Sequence, residues 1–260
     1  MFRSQLKVKL LSSLLEGEKN LGSLVKELEA SGSTIIHAYA DLENMKLMER
    51  DGGYYKLTSL GFIEAHFIKE TYSALQVLEN YEDFWLSHDV SDIPSHLLMR
   101  LGELEESVLV QNDSVELDKV HTTFQQILLT SRKVKGVSPI FHSDFIRVFQ
   151  KLLEDGANIE LILTRGVLEK TLSLVNIKPF VTFIAENRLN IFLADELRVA
   201  LTVTENSFSM GLFSNNADYD YTKDIVSNSL KTIKWGNDLF RYFLNSTARL
   251  SLGDLEKFGL

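Results

Sequence analysis

The sequence predicts an α+β protein in which an N-terminal winged helix-turn-helix and a long linker helix precede a C-terminal α/β domain with a mixed sheet. Three observations predict this class. Apolar residues recur at helical spacing in the first third, a Gly-Gly pair separates two short strand-like runs, and helical and strand-like segments alternate in the second half. With 260 residues, 45% of them apolar, the chain is long enough for two ordinary domains. We expect a DNA-binding domain over 1–58, a helical linker or dimerisation segment over 59–104 and a regulatory α/β domain over 105–260.

Three helices are predicted near the N-terminus. Leucines at helical spacing favour a first helix from about Arg3 to Glu16 and a second, shorter helix over 21–28. The small polar run 31–33 is typical of a turn, which Gly32 suits, and a third helix begins at Ser33 or Thr34 and runs to about Asn44. Two helices joined by a short turn that contains glycine are typical of a helix-turn-helix.

A small hairpin follows the third helix. Residues 48–50 and 54–57 are strand-like, and the turn Asp51-Gly52-Gly53 between them tolerates positive φ. A hairpin at this position completes the winged form of the helix-turn-helix, in which one helix enters the major groove of DNA.

The third helix has a second face of small or hydrogen-bonding residues, which suits close approach to base edges. The hairpin adds side chains for phosphates or a minor groove. If the helix is considered alone, this face is best interpreted as an ordinary solvated face. The hairpin that follows favours a DNA-binding face instead. The candidate DNA-binding residues are Ser33, Thr34, His37, Ala38, Asp41, Arg50, Tyr54 and Lys56.

The net charge of −9 is unusual for a DNA-binding protein, because Lys and Arg that neutralise phosphates dominate such affinity. The acidity is concentrated in the C-terminal part. Met1 to Glu70 contains nine Lys and Arg against ten Asp and Glu, whereas the remainder contains 18 against 26. A homodimer on double-stranded DNA would double the phosphate contacts, so we expect a homodimer.

A long helical pattern runs from Ser59 to about Ser87. Phe67, Ala74 and Tyr81 are seven residues apart, and Leu78 and Trp85 form a second track with the same spacing. Two such tracks are typical of a helix pair. The partner is either a second copy of the chain or the chain's own C-terminal domain, and the sequence leaves both open.

Strands and helices alternate in the C-terminal half, which predicts βαβ units with parallel strands. Strands are predicted at 133–138, 158–164, 189–192, 198–204 and 207–212, and helices at 117–129, 144–153, 167–186 and 226–243. Glu205-Asn206 is the predicted turn of a hairpin between the last two strands.

Polar residues follow two of these strands, and ligands of open α/β sheets collect at the carboxyl ends of strands. A later loop adds two carboxylates that suit a cation or a polyol. The candidate effector-binding residues are Ser138, His142, Thr164, Arg165, Asp218 and Asp220. Helix capping together with one surface arginine is the alternative interpretation, and it is favoured for each residue taken alone.

Common catalytic and cofactor motifs are absent from the sequence, including G-x-G-x-x-G, G-x-x-x-x-G-K-[ST], G-x-S-x-G, H-E-x-x-H and H-x-K. The six His are scattered without metal-ligand spacing, so we expect no enzyme, no cofactor and no metal. With no Cys and no run near the ~20 apolar residues that span a bilayer, we expect a cytoplasmic protein without a membrane partner. A protein-interaction module and an uncharacterised enzyme are the alternatives to a DNA-binding protein.

Several motifs resemble archaeal winged helix-turn-helix transcriptional regulators of the FilR type, the methanogenesis regulators. They cover nearly the whole chain: Leu21 to Leu47, 78–85, 135–142, 159–164, Met210 to Phe213 with Tyr219-Asp220, and Trp235-Gly236 with Leu239-Phe240. The resemblance implies a DNA-binding transcriptional regulator whose second domain senses a small molecule or mediates assembly. That domain is also similar in strand order to a phospholipase D half-domain, and the missing H-x-K motif implies that catalysis has been lost.

Overall fold

The computed structural model describes residues 4–176 and 178–255. The chain divides into two compact units, Met1–Val77 and Leu78–Leu260. In the described residues, no helix combines the length and the apolar character that crossing a bilayer requires.

The first unit is a winged helix-turn-helix, as predicted. The predicted start of the first helix at Arg3 lies outside the described residues, and a short strand before the second helix was not predicted. The elements are α1 (Gln5–Leu14), β1 (Lys19–Asn20), α2 (Leu21–Leu28), α3 (Gly32–Asn44), β2 (Met48–Asp51), β3 (Tyr54–Leu57) and α4 (Ser59–Asn80).

Side-chain caps fix the start of the two central helices. The Asn20 side chain accepts a hydrogen bond from the Ser23 amide at 2.9 Å, and the Ser31 hydroxyl accepts one from the Thr34 amide at 3.2 Å. Gly32 is therefore the first residue of α3, and its predicted place in the turn is wrong. The chain reverses instead at Glu29, whose φ of 50° lies in the left-handed region.

The hairpin turn has the predicted form. Gly52 and Gly53 have φ of 53° and 92°, and two successive positive values are characteristic of the type I′ turn that fits the twist of a hairpin. Strand β1 pairs with β3 from the other side, which gives the order β1-β3-β2.

Helix α4 packs closely against Leu47, the residue directly before the hairpin. Gly61 in the first turn of α4 is buried, and a Cβ at this position would overlap the Leu47 carbonyl oxygen and lie 2.7 Å from the carbonyl carbon. The Thr58 amide donates to the same oxygen at 3.0 Å. Residue 61 must therefore be glycine for α4 to approach this closely.

The predicted long helix does not continue to Ser87. It is interrupted at Tyr81, whose φ of −124° and ψ of 33° are not helical, and a short helix α5 (Glu82–Ser87) follows. On α4, Leu60, Ile63 and Phe67 are spaced as neighbours on one helix face and are 49%, 55% and 71% exposed.

The second unit contains an eight-stranded mixed sheet, in agreement with the predicted class. After α5 its elements are α6 (Ser95–Leu98), a 3-10 turn (Leu101–Leu104), β4 (Val108–Gln111), α7 (Lys119–Leu129), β5 (Lys133–Ser138), α8 (Ser143–Glu154), β6 (Asn158–Thr164), α9 (Arg165–Leu172), α10 (Lys178–Ala185), β7 (Leu189–Ala194), β8 (Val199–Thr204), β9 (Phe208–Leu212), β10 (Lys223–Ser227), α11 (Leu230–Leu244), β11 (Ala248–Arg249) and α12 (Leu252–Leu255).

The strand order is β11-β7-β6-β5-β8-β9-β10-β4. Strands β5, β6 and β7 are parallel, as the alternation predicts, and the remaining pairs are antiparallel. The predicted hairpin between β8 and β9 is confirmed.

Two predictions about this unit are wrong, and three of its strands, β4, β10 and β11, were not predicted. The helix expected from Val226 begins at Leu230, because Val226 lies in β10 and pairs with Ser209 of β9. The helix expected over 167–186 is two helices, α9 and α10.

Helices cover both faces of the sheet. On one face, buried residues of α7 to α10, such as Leu128, Leu152 and Leu168, pack with Val134 and Leu161 of the strands. On the other face lies α11, which approaches closely because Gly236 has no side chain: a Cβ there would lie 2.5 Å from Phe208 Cδ2.

Candidate functional sites

The exposed face of α3 contains four of the five residues predicted on it. Ser33, Thr34, His37 and Asp41 are exposed, whereas Ala38 is only 6% exposed and packs in the core with Ile35 and Leu42. The prediction that Ala38 contacts bases is therefore wrong. As a small residue three positions after Ile35, it lies on the buried side of the helix.

Three polar residues of this face are already engaged, and one of them is Ser33, whose hydroxyl lies 2.9 Å from the Ser31 hydroxyl. Asp41 forms an ion pair with Lys7 of α1 at 2.6 Å, and the hydrogen bond from Lys7 lowers the pKa of the Asp41 carboxyl. The Thr34 hydroxyl lies 2.7 Å from the Ser31 hydroxyl at the helix start. His37 keeps an exposed ring on the same face.

The hairpin carries three of the predicted residues, in different electrostatic settings. Lys56 lies 3.3 Å from Glu49 and 3.5 Å from Asp51, so its charge is largely neutralised. Arg50 stacks on the ring of Tyr55 at 5.2 Å and forms no ion pair with any residue that the structure describes. Tyr54 is 43% exposed.

Sequence reasoning missed Lys46. It follows α3 directly, has a left-handed φ of 61°, is exposed and forms no ion pair within the described part of the chain. In contrast, Lys19 is bound to Glu16 and Glu27 at 3.3 and 2.8 Å. The signal in the sequence was a lysine between the third helix and the hairpin.

The second unit contains a cavity of about 200 Å³ between the sheet and the helices α7 to α10. Its walls are mainly apolar and rich in aromatic rings, including Phe124, Phe145, Phe149 and Phe180. A mainly apolar cavity with a few polar groups is the usual form of a small-molecule site.

The polar groups of the cavity come from neighbouring strands of the sheet. Thr202 of β8 lies opposite Ser209 of β9, and the Ser209 hydroxyl donates to Asp224 Oδ2 of β10 at 2.8 Å. All three side chains line the cavity, together with Tyr219 from the loop before β10.

Asp224 is the most unusual of these residues. It is 6% exposed, and its Oδ1 has no hydrogen-bond partner among the described residues. Burial, with a smaller contribution from the negative charge of Asp220, raises the pKa of Asp224 to about 7. Gly211 leaves room for this oxygen, because a Cβ there would lie 2.5 Å from Asp224 Oδ1 and would overlap the Tyr219 hydroxyl.

The six predicted effector-binding residues do not surround one pocket. Ser138 and His142 line the cavity, and the Ser138 hydroxyl donates to the Ile140 carbonyl at 2.8 Å. The other four, Thr164, Arg165, Asp218 and Asp220, do not line it.

Local interactions explain the positions of three of these four residues. Thr164 caps α9 at the Val167 amide, and Arg165 is exposed beside Glu169 at 3.9 Å. Asp220 accepts from the Thr222 amide and lies 3.1 Å from His88 Nε2. Asp218 is exposed.

The structure also brings together His residues that are distant in sequence. His121 Nε2 lies 3.4 Å from Asp144 Oδ2, His142 Nδ1 lies 3.9 Å from the same oxygen, and the three donor atoms are all within 4.8 Å of one another. Two His and one carboxylate suit a divalent transition metal. The His residues are scattered along the sequence, but the fold brings His121 and His142 together.

Comparison with known proteins gives matches over both units. Residues 1–76 match the family model of the N-terminal domain of methanogenesis regulatory protein FilR1, and residues 117–246 match the model of its middle domain. The chain is 30% identical over 261 residues to methanogenesis regulatory protein FilR1 of Methanothrix harundinacea (strain 6Ac). The match covers 98% of this chain and 58% of that relative, so the chain spans less than two thirds of its length.

Solved structures with a distant likeness were also found. TrmBL2, an archaeal chromatin protein, matches with a TM-score of 0.45 and 11% identity over 94% of each chain. Nuc of Salmonella typhimurium, a phospholipase D family member, matches with a TM-score of 0.40 and 9% identity over 56% of this chain and 99% of that one.

Proposed function

Because the chain belongs to the FilR1 family of methanogenesis regulatory proteins, we propose that it is a DNA-binding transcriptional regulator. The observation that carries the proposal is the winged helix-turn-helix, in which α3 has an exposed polar face beside a two-stranded hairpin. Selection of genomic fragments with the purified protein would provide the duplex needed to test it. Binding without any sequence preference would contradict the proposal.

On this proposal, α3 reads base edges and unpaired cations contact phosphates. His37 has an exposed ring on this face, whereas the hydroxyls of Ser33 and Thr34 contact that of Ser31. Asp41 would first have to leave Lys7. Lys46 and Arg50 follow α3 within six residues and form no ion pair with the described residues. Lys56 contributes less, because Glu49 and Asp51 already neutralise it.

Replacing Arg50 by alanine is expected to weaken binding to the selected duplex and to reduce the slope of log affinity against log salt by about one. Lys56→Ala is expected to have a smaller effect, since its charge is shared with two carboxylates. Fluorescence anisotropy over a series of salt concentrations measures both. The control is Lys69→Ala, an exposed lysine of α4 outside the helix-turn-helix and hairpin. An equal loss for Lys56 and Arg50 would contradict the assignment.

We further propose that the protein binds DNA as a homodimer through α4. Leu60, Ile63 and Phe67 form an exposed apolar face on this helix, and the spacing of three and four residues suits a second helix of the same kind. A second copy of the chain presents the same face, as a two-fold interface requires.

Replacing Phe67 by glutamate is therefore expected to give a monomer and to weaken duplex binding at least tenfold, because half of the phosphate contacts are lost. Light scattering coupled to size exclusion measures the mass. Lys69→Glu adds a negative charge at an exposed polar position of the same helix and is the matched control. A wild-type protein that is monomeric, both free and on DNA, would rule out the homodimer.

The cavity of the second unit is the proposed effector site. It is mainly apolar, it contains a few polar groups from adjacent strands, and His142 and Ser138 from the predicted set line it. A ligand acts as an effector only if it changes duplex affinity, which anisotropy with and without the ligand measures.

A further inference from the structure

We propose that this cavity binds a compact, largely apolar molecule, the size of a substituted benzene, through one hydroxyl or amine that donates to Asp224 Oδ1. The inference deepens the proposed effector role and rests on it for its biological meaning. Ligand binding itself is measured without DNA, so the two proposals can fail separately.

The first argument is the unpaired oxygen. Asp224 Oδ2 accepts from Ser209, but Oδ1 has no partner among the described residues although the side chain is 6% exposed. A buried polar atom without a partner costs about 1–3 kcal/mol, and more when it is charged. Native proteins retain few such atoms, so this one needs an explanation, and a ligand donor supplies it.

The second argument is access. Asp224 lines the cavity, and the residue next to its oxygen is Gly211. A Cβ at 211 would overlap the Tyr219 hydroxyl and lie 2.5 Å from Asp224 Oδ1, so glycine at this position lets both polar groups lie at the wall of the cavity. The Tyr219 hydroxyl borders the same space and offers a second polar contact to the donor group of the ligand.

The third argument is size and polarity. A cavity of roughly 150 Å³ lined by aliphatic and aromatic residues is enough to bind benzene, so about 200 Å³ leaves room for one added polar group. The rings of Phe124, Phe145 and Phe149 suit an apolar body. A ligand carboxylate would meet the carboxyl of Asp224 at the wall of the cavity, and two like charges there disfavour its binding.

The test uses four ligands of one shape on the full chain at pH 8, where Asp224 is mostly ionised and accepts hydrogen bonds. Benzyl alcohol and benzylamine carry a donor, whereas toluene and benzaldehyde do not. We expect a donor ligand to bind about tenfold more tightly than toluene by calorimetry, because hydrogen bonds to charged groups are the stronger ones. Equal binding of toluene, or no binding of any of the four, would overturn the inference.

Variants assign the effect to one residue. Asp224→Leu is expected to remove the preference for benzyl alcohol over toluene, and Asp224→Asn to weaken benzylamine at least tenfold. Asp218→Asn changes an exposed carboxyl of the preceding loop and is the matched control. If Asp224→Leu does not fold, the order of ligand affinities in the wild type and in Asp224→Asn still tests whether the carboxyl binds the ligand. An unchanged ranking in Asp224→Asn would contradict the role of this carboxyl.

Discussion

Asp224→Asn is expected to make the second unit more stable than the wild type at pH 8, by about 4 kcal/mol, and to leave its stability at pH 4 nearly unchanged. The native pKa is about 7, raised from the usual 3.8 by burial. Between these values the folded protein keeps a proton that the unfolded chain has lost, so the free energy of unfolding falls by about 1.4 kcal/mol per pH unit. Below pH 4 and above pH 7 the contribution of Asp224 to the free energy of unfolding no longer changes with pH. Asparagine at position 224 does not titrate, so it removes this contribution.

Urea unfolding followed by tryptophan fluorescence measures this effect, because Trp85 and Trp235 both belong to the second unit. The difference between variant and wild type isolates Asp224, since the other titrating groups are common to both proteins. Asp218→Asn, an exposed carboxyl, should show no such pH dependence. The same stability difference at pH 4 and pH 8 would show that Asp224 does not titrate as described.

Gly61→Ala is expected to destabilise the first unit by about 3 kcal/mol. The added Cβ meets the Leu47 backbone rather than a flexible side chain, so either α4 or the segment before β2 must shift. The same shift would disturb the Thr58 amide, which donates to the Leu47 carbonyl. Amide hydrogen exchange in α1 to α3 measures this loss of stability of the first unit.

Gly22→Ala is the matched control for this prediction. Gly22 lies in α2, is exposed and has no atom closer than 3.4 Å to an added Cβ, so alanine should leave stability unchanged or raise it slightly. The fluorescence transition of the second unit should be the same in both variants. Normal exchange protection in Gly61→Ala would contradict the close approach of α4 to Leu47.

The winged helix-turn-helix could be predicted because its signals are local. Apolar spacing gives the helices, Asn20 and Ser31 lie at their starts, and Gly52-Gly53 gives the turn. The errors also have local causes. Alanine occurs on exposed and buried helix faces alike, so the residue type at position 38 does not predict its face. The helical spacing from Ile35 and Leu42, which are both buried, predicts the buried face.

The cavity could not be predicted in the same way. Strand β10 is short and contains two charged residues, and it forms because β9 and β4 pair with it from both sides. Asp224 meets Ser209 only through that pairing, and His121 meets His142 only through the packing of α7 and α8. The signal in the sequence was a carboxyl directly before the apolar pair Ile225-Val226.

The ion pairs of the first unit have a consequence for a regulator that must find one site in a genome. Three of the eight described Lys and Arg residues of this unit, Lys7, Lys19 and Lys56, already hold carboxylates, so fewer cations remain to release counterions from arbitrary DNA. Weak attachment to bulk DNA leaves more of the protein free in solution. For the proposed homodimeric regulator, occupancy of an operator then depends more on base contacts and less on competition from the rest of the chromosome.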